Sequence, residues 1–218
     1  MSLPEKPLCT RQRLLESAAA LFAQKGYAGA TVAEICQHAE ANSAAVNYYF
    51  RSKENLYAEA WRLAFQRSLQ AHPLDEGVGA DAPAEQRLRG LILSTVRRIA
   101  DPRSHEFDII EKERGNPTGL LAEIMRESIE PVRRHMGDLV RDLLGAKATE
   151  QDVILCQRSI MGQCMQVMHH DRIARKAAGD RRGRIDLNVL SEHIVKFSLA
   201  GIRDMRRRIE SGEDDGKS

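Results

Sequence analysis

An all-α fold is predicted by three features of the sequence. Apolar residues recur at intervals of three and four, the β-branched and aromatic runs that mark strands are missing, and Gly, Pro and Asp clusters cut the chain into helix-length pieces. About nine helices are expected: an N-terminal three-helix helix-turn-helix domain, then a larger C-terminal helical domain. The chain has 218 residues, 42% hydrophobic and 29% charged, which suits a small module joined to a larger one. No stretch reaches the roughly 18 apolar residues needed to cross a bilayer, so no membrane contact is expected. The opening MSLPEKPLCT lacks the apolar core and cleavage site of a secretory signal and is read as a loose arm, which places the protein in the cytoplasm. Four scattered cysteines, Cys9, Cys36, Cys156 and Cys164, read as reduced thiols rather than a disulfide framework.

In chain order, Thr10 is expected to cap a first helix that turns Leu14, Leu15, Ala18, Ala19, Leu21 and Phe22 inward and ends at Gly26. The segment Thr31-Val32-Ala33-Glu34 is a capping box, opening a short second helix with Ile35 and Ala39 toward the core. After Glu40-Ala41-Asn42 a third short helix runs through Ala44 to Tyr49, and Ser52 caps a fourth carrying Leu56, Tyr57, Ala60, Leu63 and Ala64. Two short helices across a tight turn make a helix-turn-helix. The Pro/Gly/Asp-rich stretch His72–Pro83 is a loop, and further helices are expected near 84–100, 103–114, 118–145, 150–176 and 186–210. Pro131 is expected to kink the third of these, and Thr149 to Asp152 offers a cap for the fourth. The domain boundaries read as 8–56 for the helix-turn-helix domain and 57–211 for the larger helical domain. Flexible tails are expected at 1–7 and 212–218.

A net charge of +2 gives no broad field for nucleic acid, so affinity must come from local groups; within the first 67 residues eight cations face six carboxylates. A recognition helix must enter a groove about 12 Å wide, which favours small or polar residues at its leading edge. Ser43, Ala44 and Ala45 meet that need, Ala45 being able to meet a thymine methyl. Asn47 is suited to an adenine edge or a phosphate, and Tyr48, Tyr49 and Lys53 to phosphates. The Thr31 hydroxyl, with the free amides beside it, is suited to another strand position. Val46 and Phe50 are expected in the core. Adjacent tyrosines are about 100° apart on a helix, so at least one faces outward.

Gly26-Tyr27, Ala30-Thr31-Val32 with Ile35, and the run from Tyr48 through Tyr49-Phe50-Arg51-Ser52-Lys53-Glu54-Asn55 to Leu56 resemble the signature of TetR/AcrR transcriptional regulators over residues 10–57. Two positions depart from it: Glu40 stands where the turn usually has glycine, and Asn47 where tyrosine is common. The resemblance implies a homodimer that binds double-stranded, roughly palindromic operator DNA, and repression more often than activation. Further on, Phe107-Asp108-Ile109-Ile110-Glu111-Lys112-Glu113 and Asn116-Pro117-Thr118 are similar to the CecR-type branch. This second resemblance implies a small-molecule effector held between central helices and control of transport or efflux genes.

Candidate walls for the effector pocket are Phe107, Ile110 and Glu111, with the seam Met161, Cys164, Met165 and Met168, whose flexible thioethers suit an adaptable site; the whole seam, together with Ile160, also fits core packing or a dimer contact. Glu113 is the other carboxylate of that segment able to meet a ligand. His169-His170-Asp171 does not read as a metal site, because neighbouring helix positions point apart. The run Arg203, Arg206, Arg207, Arg208 reads as solvated charge suited to a helix C-terminus. Apolar residues on more than one face of the last helix, from Leu187 to Ile202, suit one face on the core and another on a partner subunit; pairing with the helix through Ile154 to Met168 would make a four-helix dimer bundle. No nucleophile elbow, phosphate loop or HExxH motif occurs, and no cofactor, metal or catalytic residue is assigned. Two rival readings are an all-α enzyme using Cys164 or a His–Glu pair, and a helical scaffold with a vestigial helix-turn-helix.

Overall fold

The computed structural model describes the backbone of residues 9–176 and 186–212, and the same side chains except those of 167–176. Met168, the His169-His170-Asp171 side chains, the Gly179–Gly183 loop and the two expected tails, Gly212 apart, lie outside the described residues. Among those residues there are nine α-helices and no strand: α1 (Thr10–Gly29), α2 (Val32–His38), α3 (Ser43–Phe50), α4 (Lys53–Ala71), α5 (Ala84–Ala100), α6 (His105–Gly115), α7 (Ala122–Leu144), α8 (Glu150–Lys176) and α9 (Leu187–Ser211).

Local sequence explains most boundaries, and three depart from expectation. Thr10 is the first residue of α1 rather than its cap; Cys9 occupies that position and supplies no side-chain bond. Gly26, at φ 74°, kinks α1, and one more turn follows before the chain leaves at Ala30. Helix α7 begins at Ala122 instead of near 118, because the Glu113 carboxylate accepts from Thr118 N at 2.8 Å and Gly119 N at 3.0 Å, and Gly119 is left-handed at φ 75°. The chain there is held as a turn. Pro131 sits inside α7, which continues through it, although its missing N–H leaves one carbonyl of the previous turn without its usual donor. The caps at Thr31, Ser52 and Thr149 form: Glu34 N donates to Thr31 Oγ1 at 3.2 Å, Asn55 N to Ser52 Oγ at 3.3 Å, and Asp152 N to Thr149 Oγ1 at 3.2 Å.

The chain divides into two compact units. The first comprises residues through Ser68 together with Pro102–Ser128, and the second Leu69–Asp101 together with Ile129 onwards. In the first, α1 packs on α2, α3 and α6. Its core is aromatic: the Phe22 ring meets Tyr57 edge-on at 4.7 Å, and Trp61 stacks on Phe65 at 5.3 Å. Trp61 is the largest fully buried side chain, whereas Leu63, expected inside, is only half-buried, as is Leu21 on α1. In the second unit α5 packs against α8 and α9 and buries Leu88, Leu91, Ile92 and Val96 completely. Gly90 is required there, since a Cβ would lie 2.4 Å from the Asp75 carbonyl oxygen of the loop folded over it.

The turn between α2 and α3 carries a testable strain. Glu40 sits at φ 49°, a left-handed conformation that favours glycine. Glu40→Gly is expected to raise unfolding free energy by about 0.5–1 kcal/mol, measured by urea denaturation. Destabilisation instead would mean that the Glu40 side chain contributes more than its backbone strain costs.

Candidate nucleic-acid interface

The interface is assembled from the ends of α2, α3 and α4. At the start of α2 the capping box is reciprocal, with Thr31 N donating to Glu34 Oε2 at 3.1 Å, so Thr31 is fixed in an exposed position. Hydrogen bonding to Lys25 and to Thr31 holds the Glu34 carboxyl below its ordinary range. At the other end of α2, Arg13 Nε donates to the Ala39 carbonyl at 3.0 Å, and Ala41 N donates to Cys36 O at 2.9 Å. The chain therefore turns sharply into α3, whose N-cap is Asn42: its Oδ1 accepts from Ala45 N at 3.0 Å. Asn42 went unassigned in the sequence, although an Asn just before a short apolar helix is the usual signal of a cap.

Helix α3 is anchored by Val46 and Phe50, both buried, with the Arg11 guanidinium 5.3 Å from the Phe50 ring centroid. Fixing that face leaves Ser43, Ala44 and Asn47 exposed and Ala45 half-exposed. Both tyrosines face outward, Tyr48 80% and Tyr49 39% exposed, with rings edge-to-face at 4.9 Å. Arg51 ends the helix at φ 67° and is exposed. Lys53, half-buried at the start of α4, donates to the Tyr27 carbonyl at 2.6 Å, and its ammonium lies 4.2 Å from the Tyr27 ring centroid. That partnership was not visible in the sequence. All eight predicted interface residues thus lie on α2, α3, α4 or their caps within the first unit, and all eight are exposed or half-exposed rather than consumed by the core.

The predicted effector-pocket residues divide between the units. In the first, Phe107 is buried and Ile110 and Glu111 are half-buried on successive turns of α6. In the second, Met161 and Met165 are half-buried on α8 and Cys164 is completely buried. Glu113 is held structurally, accepting from Tyr57 Oη at 3.0 Å besides Thr118 and Gly119, and burial together with this carboxylate raises the Tyr57 phenol pKa. A cavity of about 330 Å³ in the second unit is bordered instead by Leu93, Asn188 and the ion pairs Glu76–Arg97 and Arg89–Glu192, none of them predicted. The C-terminal arginines are engaged in ion pairs: Arg203 reaches Glu85 on α5 at 2.7 Å, while Arg206 pairs with Glu210 at 2.8 Å and Arg207 and Arg208 with Asp204 within α9.

Burial also orders the thiols. It pushes the Cys164 thiol up to about 12 and raises Cys36 and Cys156, while Cys9 is exposed. Iodoacetamide at neutral pH is expected to modify Cys9 first and to spare the other three until the chain unfolds, as peptide mass spectrometry can follow. Alkylation of Cys164 as fast as Cys9 would contradict its closed environment. Among the described residues no group of three His, Cys, Asp or Glu side chains could hold a metal ion, and no helix is long and apolar enough to cross a membrane.

Comparison with known proteins bears on this geometry. Residues 14–60 match the family model for bacterial regulatory proteins of the tetR family, and residues 84–202 match that for the C-terminal domain of the HTH-type transcriptional dual regulator CecR. The chain belongs to the TetR family. CecR of Shigella flexneri is 27% identical over 165 residues, 71% of this chain and 74% of that protein. A TetR-like transcriptional regulator from Rhodococcus sp. RHA1 has the same fold at TM-score 0.66 and 17% identity, covering 92% of this chain and 98% of that one. AibR, whose structure holds isovaleryl coenzyme A and operator DNA, matches at TM-score 0.65 and 18% identity, covering 87% of this chain and 97% of that one. This TetR-family transcriptional regulator is therefore all-helical, with an N-terminal helix-turn-helix and a CecR-type C-terminal domain.

Proposed function

We propose that this TetR-family regulator is a cytoplasmic homodimeric repressor that grips a roughly palindromic operator through α2 and α3 and is released by a small-molecule effector. It acts by binding rather than by catalysis. The observation that carries this reading is the division of α3: Val46 and Phe50 are buried, while Ser43, Ala44, Asn47 and Tyr48 stand exposed on a slim leading face. In the complex, Ala45 and Asn47 read bases, and Thr31, Tyr48, Tyr49 and Lys53 hold phosphates. The DNA-binding domain is taken as 8–56 and the effector and dimerisation domain as 57–211.

The dimer is assigned to α8 and α9. Val189 and Phe197 are about two-thirds exposed on α9, at 62% and 63%, and Leu155 is 48% exposed on α8, while Ile194, Val195 and Ile202 face the protomer's own core. Two such faces together form a four-helix bundle. The effector is assigned to the α8 face that carries Met161, Cys164 and Met165 within the second unit, and transport or efflux genes are the proposed targets. Support comes from the CecR-type match and from the fold shared with AibR, crystallised with both an acyl coenzyme A and DNA. Effector and operator should each weaken the other's binding by the same factor.

Asn47→Ala and Tyr48→Ala test this reading by fluorescence anisotropy on an operator duplex obtained by selecting bound sequences from random DNA. Asn47→Ala is expected to lose about 1–3 kcal/mol and to relax preference at one base position, whereas Tyr48→Ala weakens binding evenly across sequences. Unchanged specific retention by both variants would favour the scaffold reading instead.

A further inference from the structure

We propose that Tyr27 is a positioning residue for operator binding: its carbonyl and ring face hold the Lys53 ammonium at the DNA-facing edge, while its phenol ties down the neighbouring Glu54 carboxylate. This inference rests on the operator-binding reading above. Lys53 and Glu54 are adjacent at the start of α4, where successive side chains point apart, and Tyr27 engages both. Lys53 Nζ lies 2.6 Å from the Tyr27 carbonyl oxygen and 4.2 Å from the ring centroid, and Tyr27 Oη donates to Glu54 Oε1 at 2.6 Å. The ring is itself fixed from behind, 5.1 Å from the Tyr57 ring and 6.3 Å from Phe22.

An ammonium has three N–H donors, so one spent on the Tyr27 carbonyl leaves two for phosphate oxygens. A free lysine loses its rotamer freedom on binding; Lys53 has already lost it on folding, so its phosphate contact forms at lower entropic cost. Glu54 poses the opposite problem, because a mobile carboxylate beside Lys53 would compete for the ammonium and repel phosphates. Burial, and then the bond to Glu54, raise the Tyr27 phenol to about 12, and bonds from Tyr27 and Ser52 lower the Glu54 carboxyl to about 2. The pair therefore remains phenol and carboxylate throughout the neutral range.

The test is a salt series of operator titrations by anisotropy on the full chain, with Tyr27→Leu, Tyr27→Phe, Lys53→Ala and their combinations. Lys53→Ala should reduce the slope of log affinity against log salt by about one per protomer. Tyr27→Leu should weaken operator binding about tenfold when Lys53 is present and about twofold or less when it is alanine. Tyr27→Phe, which keeps ring and carbonyl, should weaken binding about threefold, and Glu54→Gln in that background should restore it. Equal losses from Tyr27→Leu in both backgrounds, an unchanged slope for Lys53→Ala, or no restoration by Glu54→Gln overturns the proposal. If Tyr27→Leu does not fold, the Tyr27→Phe and Glu54→Gln pair decides. If the unchanged protein shows no sequence-specific retention, the operator-binding reading fails and this role with it; specific retention with additive losses overturns this role alone.

Discussion

Trp61→Ala is expected to lower the stability of the first unit by about 3–5 kcal/mol, the usual cost of emptying a large aromatic site. Trp61 is completely buried on α4 and stacked on Phe65. Its indole Nε1 is buried and has no hydrogen-bond partner among the described residues. Trp61→Phe should therefore cost clearly less: it keeps much of the ring's packing and removes a donor whose desolvation is uncompensated. Urea denaturation followed by circular dichroism gives both values. Equal losses for the two variants would mean that the indole N–H contributes as much as the ring. Because the same unit carries α2 and α3, Trp61→Ala should also reduce operator retention as the temperature rises, in step with unfolding.

In the proposed dimer, Phe197→Glu is expected to shift the protein to monomer, with an effect above about a hundredfold on the dimer dissociation constant. Phe197 is exposed in the protomer and stacks on His193 with ring centroids 6.2 Å apart, one turn from it on α9. An uncompensated carboxylate there must be desolvated against the partner. The protomer's own packing is left intact, since Ile194, Val195, Ser198 and Ile202 form the buried face of α9. Sedimentation velocity reads the association state, and operator affinity should fall with it, since one recognition helix alone grips a single half-site. A Phe197→Glu protein that remains a dimer would move the seam away from α9.

Much of the fold was legible because its signals are local. Apolar periodicity located α5 and α8, and the Thr31 and Thr149 caps are four-residue patterns needing nothing beyond themselves. What escaped depends on contacts distant in sequence or on competing local bonds. The late start of α7 follows from Glu113 reaching over Thr118 and Gly119, which periodicity alone cannot register. On α4 the expected inward residues Leu56, Tyr57, Ala60 and Ala64 are buried, but Leu63 is only half-buried and Trp61 and Phe65 also turn inside, because what packs against α4 decides how far its apolar face extends. The exposure of the candidate interface residues was legible, since Ser43 to Lys53 is one short continuous segment and Thr31 stands in the capping box before it. The hold of Tyr27 on Lys53 was not, because it joins residues 26 apart. The candidate effector walls were the least legible part: the pattern Met161, Cys164, Met165 identifies a helical face without what it touches.

The most direct test of the central claim is selection of bound sequences from random duplex DNA with the purified full chain, followed by a salt titration of the enriched sequence. The account predicts a motif with two-fold symmetry, its half-sites about 34–36 Å apart centre to centre, and an affinity that falls steeply with salt. Enrichment of no motif, or of one without two-fold symmetry, would contradict a dimeric operator-binding regulator.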